Sequence, residues 1–121
     1  MAEHIEFGKK GEELAKEFLL GKGYKIRDTN WRLGKYEVDI VAEDKGILVI
    51  VEVKTRASDR ILEPEAAVNR DKQRKLIYAA NAYLRYKKLN MEARFDIIAI
   101  VISGESHRLT HIPDAFYAML R

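Results

Sequence analysis

Apolar residues near the start of the chain recur at three- and four-residue spacing: Leu14, Ala15, Phe18 and Leu19. A single stripe of this kind predicts an amphipathic helix over about Glu6–Leu20. Gly21 and Gly23 stand just beyond it, where glycine commonly closes a last turn. The period then changes. Three strand-like stretches follow, about Lys25–Trp31, Tyr36–Glu43 and Ile47–Thr55, and the third, Ile47-Leu48-Val49-Ile50-Val51-Glu52-Val53, reads as apolar on both faces. A strand covered on two sides lies centrally in its sheet.

From Pro64 to about Leu89 the pattern turns helical, with a break near Asn69-Arg70-Asp71. Phe95–Ile102 reads as a second doubly apolar strand, Leu109–Ile112 as a short edge strand, and Asp114–Leu120 as a closing helix. The two prolines, Pro64 and Pro113, read as punctuation at helix starts. The expected order is α-β-β-β-α-β-β-α. A strand, a crossover helix and a strand imply parallel pairing of the third and fourth strands. The prediction is an α/β (α+β) protein, with a mixed central sheet of about five strands flanked by helices, in one domain over residues 1–121.

Composition narrows the class. With 121 residues, 47% hydrophobic and 34% charged, the chain has enough apolar content for one core under a heavily ionised surface. No apolar run reaches the roughly 18 residues that span a bilayer, so no membrane partner is expected. The opening Met1-Ala2-Glu3-His4-Ile5-Glu6 lacks the basic-then-apolar order of a signal peptide, and there is no cysteine. A cytoplasmic location is expected.

Charge placement says more than the net +3. On the third strand Glu52 and Lys54 share one face, and on the second Glu37 and Asp39 alternate with Val38 and Ile40. If Lys45-Gly46 is a two-residue hairpin loop, Asp39 lies opposite Glu52 and Glu37 opposite Lys54, with Cβ atoms about 4.5–5.5 Å apart. The same register pairs Val41 with Ile50. Two opposed carboxylates on a half-buried sheet repel each other unless neutralised, and Mg²⁺ does so with one or two carboxylates plus water and phosphate oxygens. A lysine two residues on would orient water or steady charge on a phosphate. The alternative is that Asp39 and Glu52 are ordinary strand-end charges with Lys54 as an ion-pair partner.

Asp39 followed by Glu52-Val53-Lys54 resembles the PD-(D/E)XK motif of restriction-endonuclease-like nucleases. Gly11-Glu12, Gly23-Tyr24, Asn30-Trp31-Arg32, Glu37-Val38-Asp39-Ile40-Val41, Val51 to Arg56, Lys72-Gln73-Arg74 and Arg94-Phe95-Asp96 together make the chain similar to the small bacterial YraN-type family, itself uncharacterised. Archaeal Holliday-junction resolvases share a similar layout. The resemblance implies a restriction-endonuclease-like domain in which Asp39 and Glu52 hold Mg²⁺ or Mn²⁺ and Lys54 assists the water. Glu12 on the first helix completes the acidic cluster, with Glu37 as the competing third acid. The implied reaction is hydrolysis of DNA, branched or damaged structures included.

Basic residues concentrate downstream. Between Asn69 and Lys88 lie Arg70, Lys72, Arg74, Lys75, Arg85, Lys87 and Lys88 against a single acid, Asp71. On a continuous helix Arg70, Arg74, Arg85 and Lys88 would form a ridge able to track phosphates; a solvated helix face is the competing reading. Arg56, Arg70, Lys72, Gln73 and Arg74 are the expected nucleic-acid contacts. Arg94 and Asp96 read as a structural pair, with support of the acidic site as the competing reading of Asp96, Trp31 reads as packing or a base stack, and the three histidines receive no role. A non-catalytic nucleic-acid-binding module and a dimeric interaction protein remain the alternatives; a homodimer is also compatible with a nuclease.

Overall fold

The structure, a computed structural model, describes residues 2–57 and 68–116. Its elements run α1 (Ala2–Gly21), β1 (Lys25–Leu33), β2 (Tyr36–Asp44), β3 (Ile47–Ala57), α2 (Arg70–Tyr86), β4 (Ala93–Ser103) and β5 (Ser106–Phe116). The strands form one mixed sheet in the order β1-β2-β3-β4-β5. Only β3 and β4 pair in parallel; the other neighbours are antiparallel. This is an α+β architecture, and β3 is central as its two apolar faces require.

Alternating side chains divide the core. Leu48 and Ile50 of β3 pack with Leu76, Ile77, Ala80 and Tyr83 of α2. Val49 and Val51 pack with Ala15 and Leu19 of α1, together with Ile98 and Ile100 of β4. The two helices therefore cover opposite faces. Helix α1 closes at the expected glycines: Gly23, at φ +91°, donates to Leu20 O and Tyr24 donates to Leu19 O, which satisfies the last carbonyls. The Lys45-Gly46 loop has positive φ at both residues, as a tight hairpin demands.

Three expectations need correction. Helix α2 begins at Arg70, because the Asn69 side chain accepts the Lys72 N–H at 2.8 Å and caps it; residues 64–67 of the expected helix lie outside the described residues. It ends at Tyr86, and Lys88 turns off at φ +56°, so Lys88 leaves the basic ridge. No third helix follows among the described residues. Pro113 and Asp114 belong to β5, and residues 117–120 of the expected closing helix lie outside the described residues.

Side-chain chemistry explains why β5 runs through Pro113. Phe95 pairs with Phe116 and Ile97 with Ile112, so three residues of β5 stand opposite Asp96 alone. Proline is tolerated at such a bulge because it has no N–H to place. Asp96, 1% exposed, accepts the Asp114 N–H at 3.0 Å, both Arg94 Nε and Nη2 at 2.9 Å, and meets His111 Nε2 at 2.8 Å. Burial pushes this carboxyl up, but the hydrogen bonds from His111, Arg94 and Asp114 outweigh it and hold the group below the usual carboxylate range. The Arg94–Asp96 pair is structural, as expected.

Helix α1 lies close against β3 at Gly11, where a Cβ would run into the Thr55 side chain. Gly11→Ala is expected to cost about 1–3 kcal/mol through overpacking, and Thr55→Ala in the same chain to recover part of that loss. Urea denaturation of the single and double variants checks it. An additive pair would show that the two residues do not meet.

Candidate functional site

Strands β2 and β3 begin as a regular hairpin and then part. Their ladder has the expected register, with Val41 opposite Ile50, but runs only from Asp44↔Ile47 to Ile40↔Val51. Beyond that point β2 stays with β1 as far as Leu33↔Tyr36, while β3 continues with β4 to Ala57↔Ile102. The expected pairs Asp39–Glu52 and Glu37–Lys54 are thus not ladder pairs. They lie on the two arms of a fork.

The fork has a local cause. Val38 packs on the α2 side and Ile40 on the α1 side, although residues two apart in a regular strand face the same way. The alternation breaks at Asp39. Opposite it on β1, between the pairs Thr29↔Ile40 and Trp31↔Val38, sits Asn30 at φ +51°. Asparagine is among the few residues that enter the left-handed region readily. Across the fork the Asp39 carboxylate accepts the Val53 N–H at 2.8 Å, doing the work of a missing backbone carbonyl.

Two half-buried carboxylates result. Burial pushes the Asp39 carboxyl up to about 6; the Val53 N–H and Lys72 oppose the rise, while Glu12 and Glu37 add to it. Burial likewise pushes Glu52 up to about 7, with the charge of Asp39 contributing and Lys72 and Lys54 opposing. The Glu52 side chain is only 16% exposed, and Lys72 Nζ lies 3.8 Å from its Oε2. Neither acid is locked onto an arginine by a described contact.

Glu12 comes from α1 and is oriented by Asn30, whose Nδ2 donates to Glu12 Oε1 at 2.9 Å. Glu13 next to it is exposed, so the helix turns Glu12 and not Glu13 toward the sheet. Among the described residues no three His, Asp or Glu side chains gather tightly enough to enclose an ion. Glu12 is therefore a neighbour of the Asp39–Glu52 pair and does not close a three-acid cage. Glu37, the competing third acid, pairs with Arg32 at 3.4 Å and is largely exposed. Lys54 and Arg56, both half-buried on β3, engage other groups.

The basic residues separate into two sets. Arg70 and Arg74 are exposed, and Lys75 pairs with Asp71 at 3.2 Å. Lys72 is half-buried beside Glu52, and Gln73 Nε2 donates to Val68 O at 2.8 Å, bracing the helix start. Trp31 packs edge-on against Tyr83, with ring centroids 5.0 Å apart. Sequence reasoning missed the part Asn30 plays and the pairing of Lys72 with the acids. The signals were an asparagine inside a strand pattern and a lysine in the first turn of a helix, where acids are favoured.

A divalent cation fits this donor set. Asp39 and Glu52, one from each arm, repel each other in a half-buried space, and their affinity for protons is the affinity that a cation would exploit. Fold and site together define a small α+β protein with paired carboxylates at a sheet fork.

The chain belongs to the uncharacterised protein family UPF0102, whose model matches residues 11–100. A UPF0102 protein of Phocaeicola vulgatus is 49% identical over 117 residues, covering 97% of each chain. One from Flavobacterium johnsoniae is 48% identical, and one from Parabacteroides distasonis is 41% identical over the full length of both chains. No helix among the described residues is long and apolar enough to cross a membrane.

The raised Glu52 pKa has a signed consequence for stability. The folded protein keeps a proton that the unfolded chain releases, so this contribution is fully present below the ordinary value of 4.5 and is lost as pH rises through about 7. Glu52→Gln is expected to stabilise the EDTA-treated protein by about 1–3 kcal/mol at pH 8 and to give no gain at pH 4. Thermal melts at both pH values test this. Equal shifts at the two would mean that Glu52 ionises freely.

Proposed function

We propose that this chain is a Mg²⁺- or Mn²⁺-dependent nuclease that hydrolyses DNA phosphodiester bonds, branched or damaged DNA included. The supporting observation is that Asp39 and Glu52, half-buried on the two arms of the sheet fork, act on each other electrostatically, with Lys54 on the same strand face as Glu52. Asp39 and Glu52 would hold the cation. When bound, the cation neutralises their charge and polarises a phosphate oxygen.

The chain's own residues do the rest. The Val53 N–H fixes the Asp39 carboxylate and leaves its second oxygen for a cation. Lys54, whose charge acts on Glu52, orients the attacking water or steadies charge growing on the phosphate. Glu12, held by Asn30, supports the pocket through a water. Arg70 and Arg74, exposed on the first turns of α2, position the DNA backbone without reading sequence, and Arg56 and Gln73 border the same end of the sheet and helix. This reading assigns the chain to the PD-(D/E)XK nucleases, with Asp39 and Glu52-Val53-Lys54 as the motif, acting in the cytoplasm.

Wild-type protein is expected to bind Mn²⁺ in isothermal titration calorimetry, and Asp39→Asn to lose that binding while keeping its fold, because an asparagine oxygen still accepts the Val53 N–H. Cleavage is to be scanned over linear, nicked, flapped and four-way DNA, with Lys54→Ala expected to lower any rate by about 10²-fold or more. Unchanged Mn²⁺ affinity in Asp39→Asn removes the metal site. Salt-dependent DNA binding with no cleavage in either metal would favour a non-catalytic nucleic-acid-binding module.

A further inference from the structure

Lys72 occupies a position that its own helix disfavours. It is the third residue of α2 after the Asn69 cap. The free N–H groups of a first turn carry partial positive charge, so a cation there is disfavoured. A solvent-directed lysine would escape most of this cost, yet Lys72 turns inward until Nζ is 3.8 Å from Glu52 Oε2. Its charge acts on Asp39 as well. Lys75, one turn further on, pairs with Asp71 on the outer surface and touches neither acid in any described ion pair.

The base of this lysine is fixed while its tip is not. The Lys72 N–H is bound to the Asn69 side chain and Gln73 is tied to Val68 O, which anchors the backbone. The side chain itself remains 42% exposed. An ammonium on a four-carbon stem can swing out by rotamer change alone, with no movement of the helix. At 3.8 Å it makes a charge contact with Glu52 and not a tight hydrogen bond, so little direct bonding opposes departure.

We infer that Lys72 is an internal counter-ion of the acid pair, one that a divalent cation displaces. This rests on the reading of Asp39 and Glu52 as cation ligands and adds a competitor to it. Cation and lysine cannot both neutralise the same two carboxylates, so each weakens the other by the same factor. Cation entry releases one positive charge from the acid pair, and the four-carbon stem of Lys72 carries it toward solvent at the N-terminal end of α2. Loading the metal and freeing the lysine become one event.

The test is Mn²⁺ titration calorimetry on wild type, Lys72→Met, Lys72→Gln and Lys75→Met, with thermal melts in EDTA and in excess Mn²⁺. Both Lys72 variants are expected to bind Mn²⁺ about tenfold more tightly than wild type, and Lys75→Met to bind as wild type does. Lys72→Met is also expected to melt lower than wild type in EDTA and to recover in Mn²⁺. Equal or weaker Mn²⁺ affinity in the Lys72 variants overturns the counter-ion role and leaves the metal site standing. Folded wild type and variants that all fail to bind Mn²⁺ overturn both.

Discussion

The Asp39 carboxylate bound to the Val53 N–H is the contact on which the site depends. Where two antiparallel strands separate, each leaves backbone donors that are costly to bury unpaired. A side-chain acceptor from β2 reaching to β3 removes that cost and lets the strands part without losing the sheet. The same bond holds Asp39 within electrostatic reach of Glu52, and the surrounding groups must accommodate the pair. The parting of the strands and the meeting of the two carboxylates therefore have a common origin.

The surroundings support that arrangement from three sides. Gly11 lets α1 lie against Thr55, which brings Glu12 to the fork, and Asn30 turns the Glu12 carboxylate into place. Helix α2, started by Asn69, presents Lys72 from the other face of the sheet. At the sheet's far edge the bulge in β5 is closed by Asp96, Arg94 and His111, whose hydrogen bonds leave a buried carboxylate well satisfied. The contrast between the two acidic positions is instructive. Asp96 has enough donors to lie below the usual carboxylate range, whereas Asp39 and Glu52 have too few and lie above it. A buried acid with its donors supplied is structural; a pair without them has capacity for a ligand.

Much of this was legible in the chain of residues. Alternation located β1 to β4, the doubly apolar run made β3 central, and Lys45-Gly46 set the hairpin register, since each of these depends on neighbours within a few positions. The shared face of Glu52 and Lys54 follows from the two-residue period. The end of the β2–β3 ladder was not legible, because it depends on Asn30 of a third strand and on where a side chain replaces a carbonyl. Pro113-Asp114 resembles a helix start, and only the buried Asp96 on the neighbouring strand makes it a bulge. His111 carried no spacing signal, since its partner lies across the sheet.

What the sequence alone determined is the set of elements, their order and which acids could share a face, because periodicity and turn chemistry are local. Tertiary structure decided that the sheet forks at Asp39, that Glu12 stands beside the acid pair without enclosing it, and that Lys72 supplies the counter-charge. Those outcomes arise from burial and from charges brought together across distant segments. Desolvation and Coulomb energies depend on separation in space, which no spacing along the chain encodes.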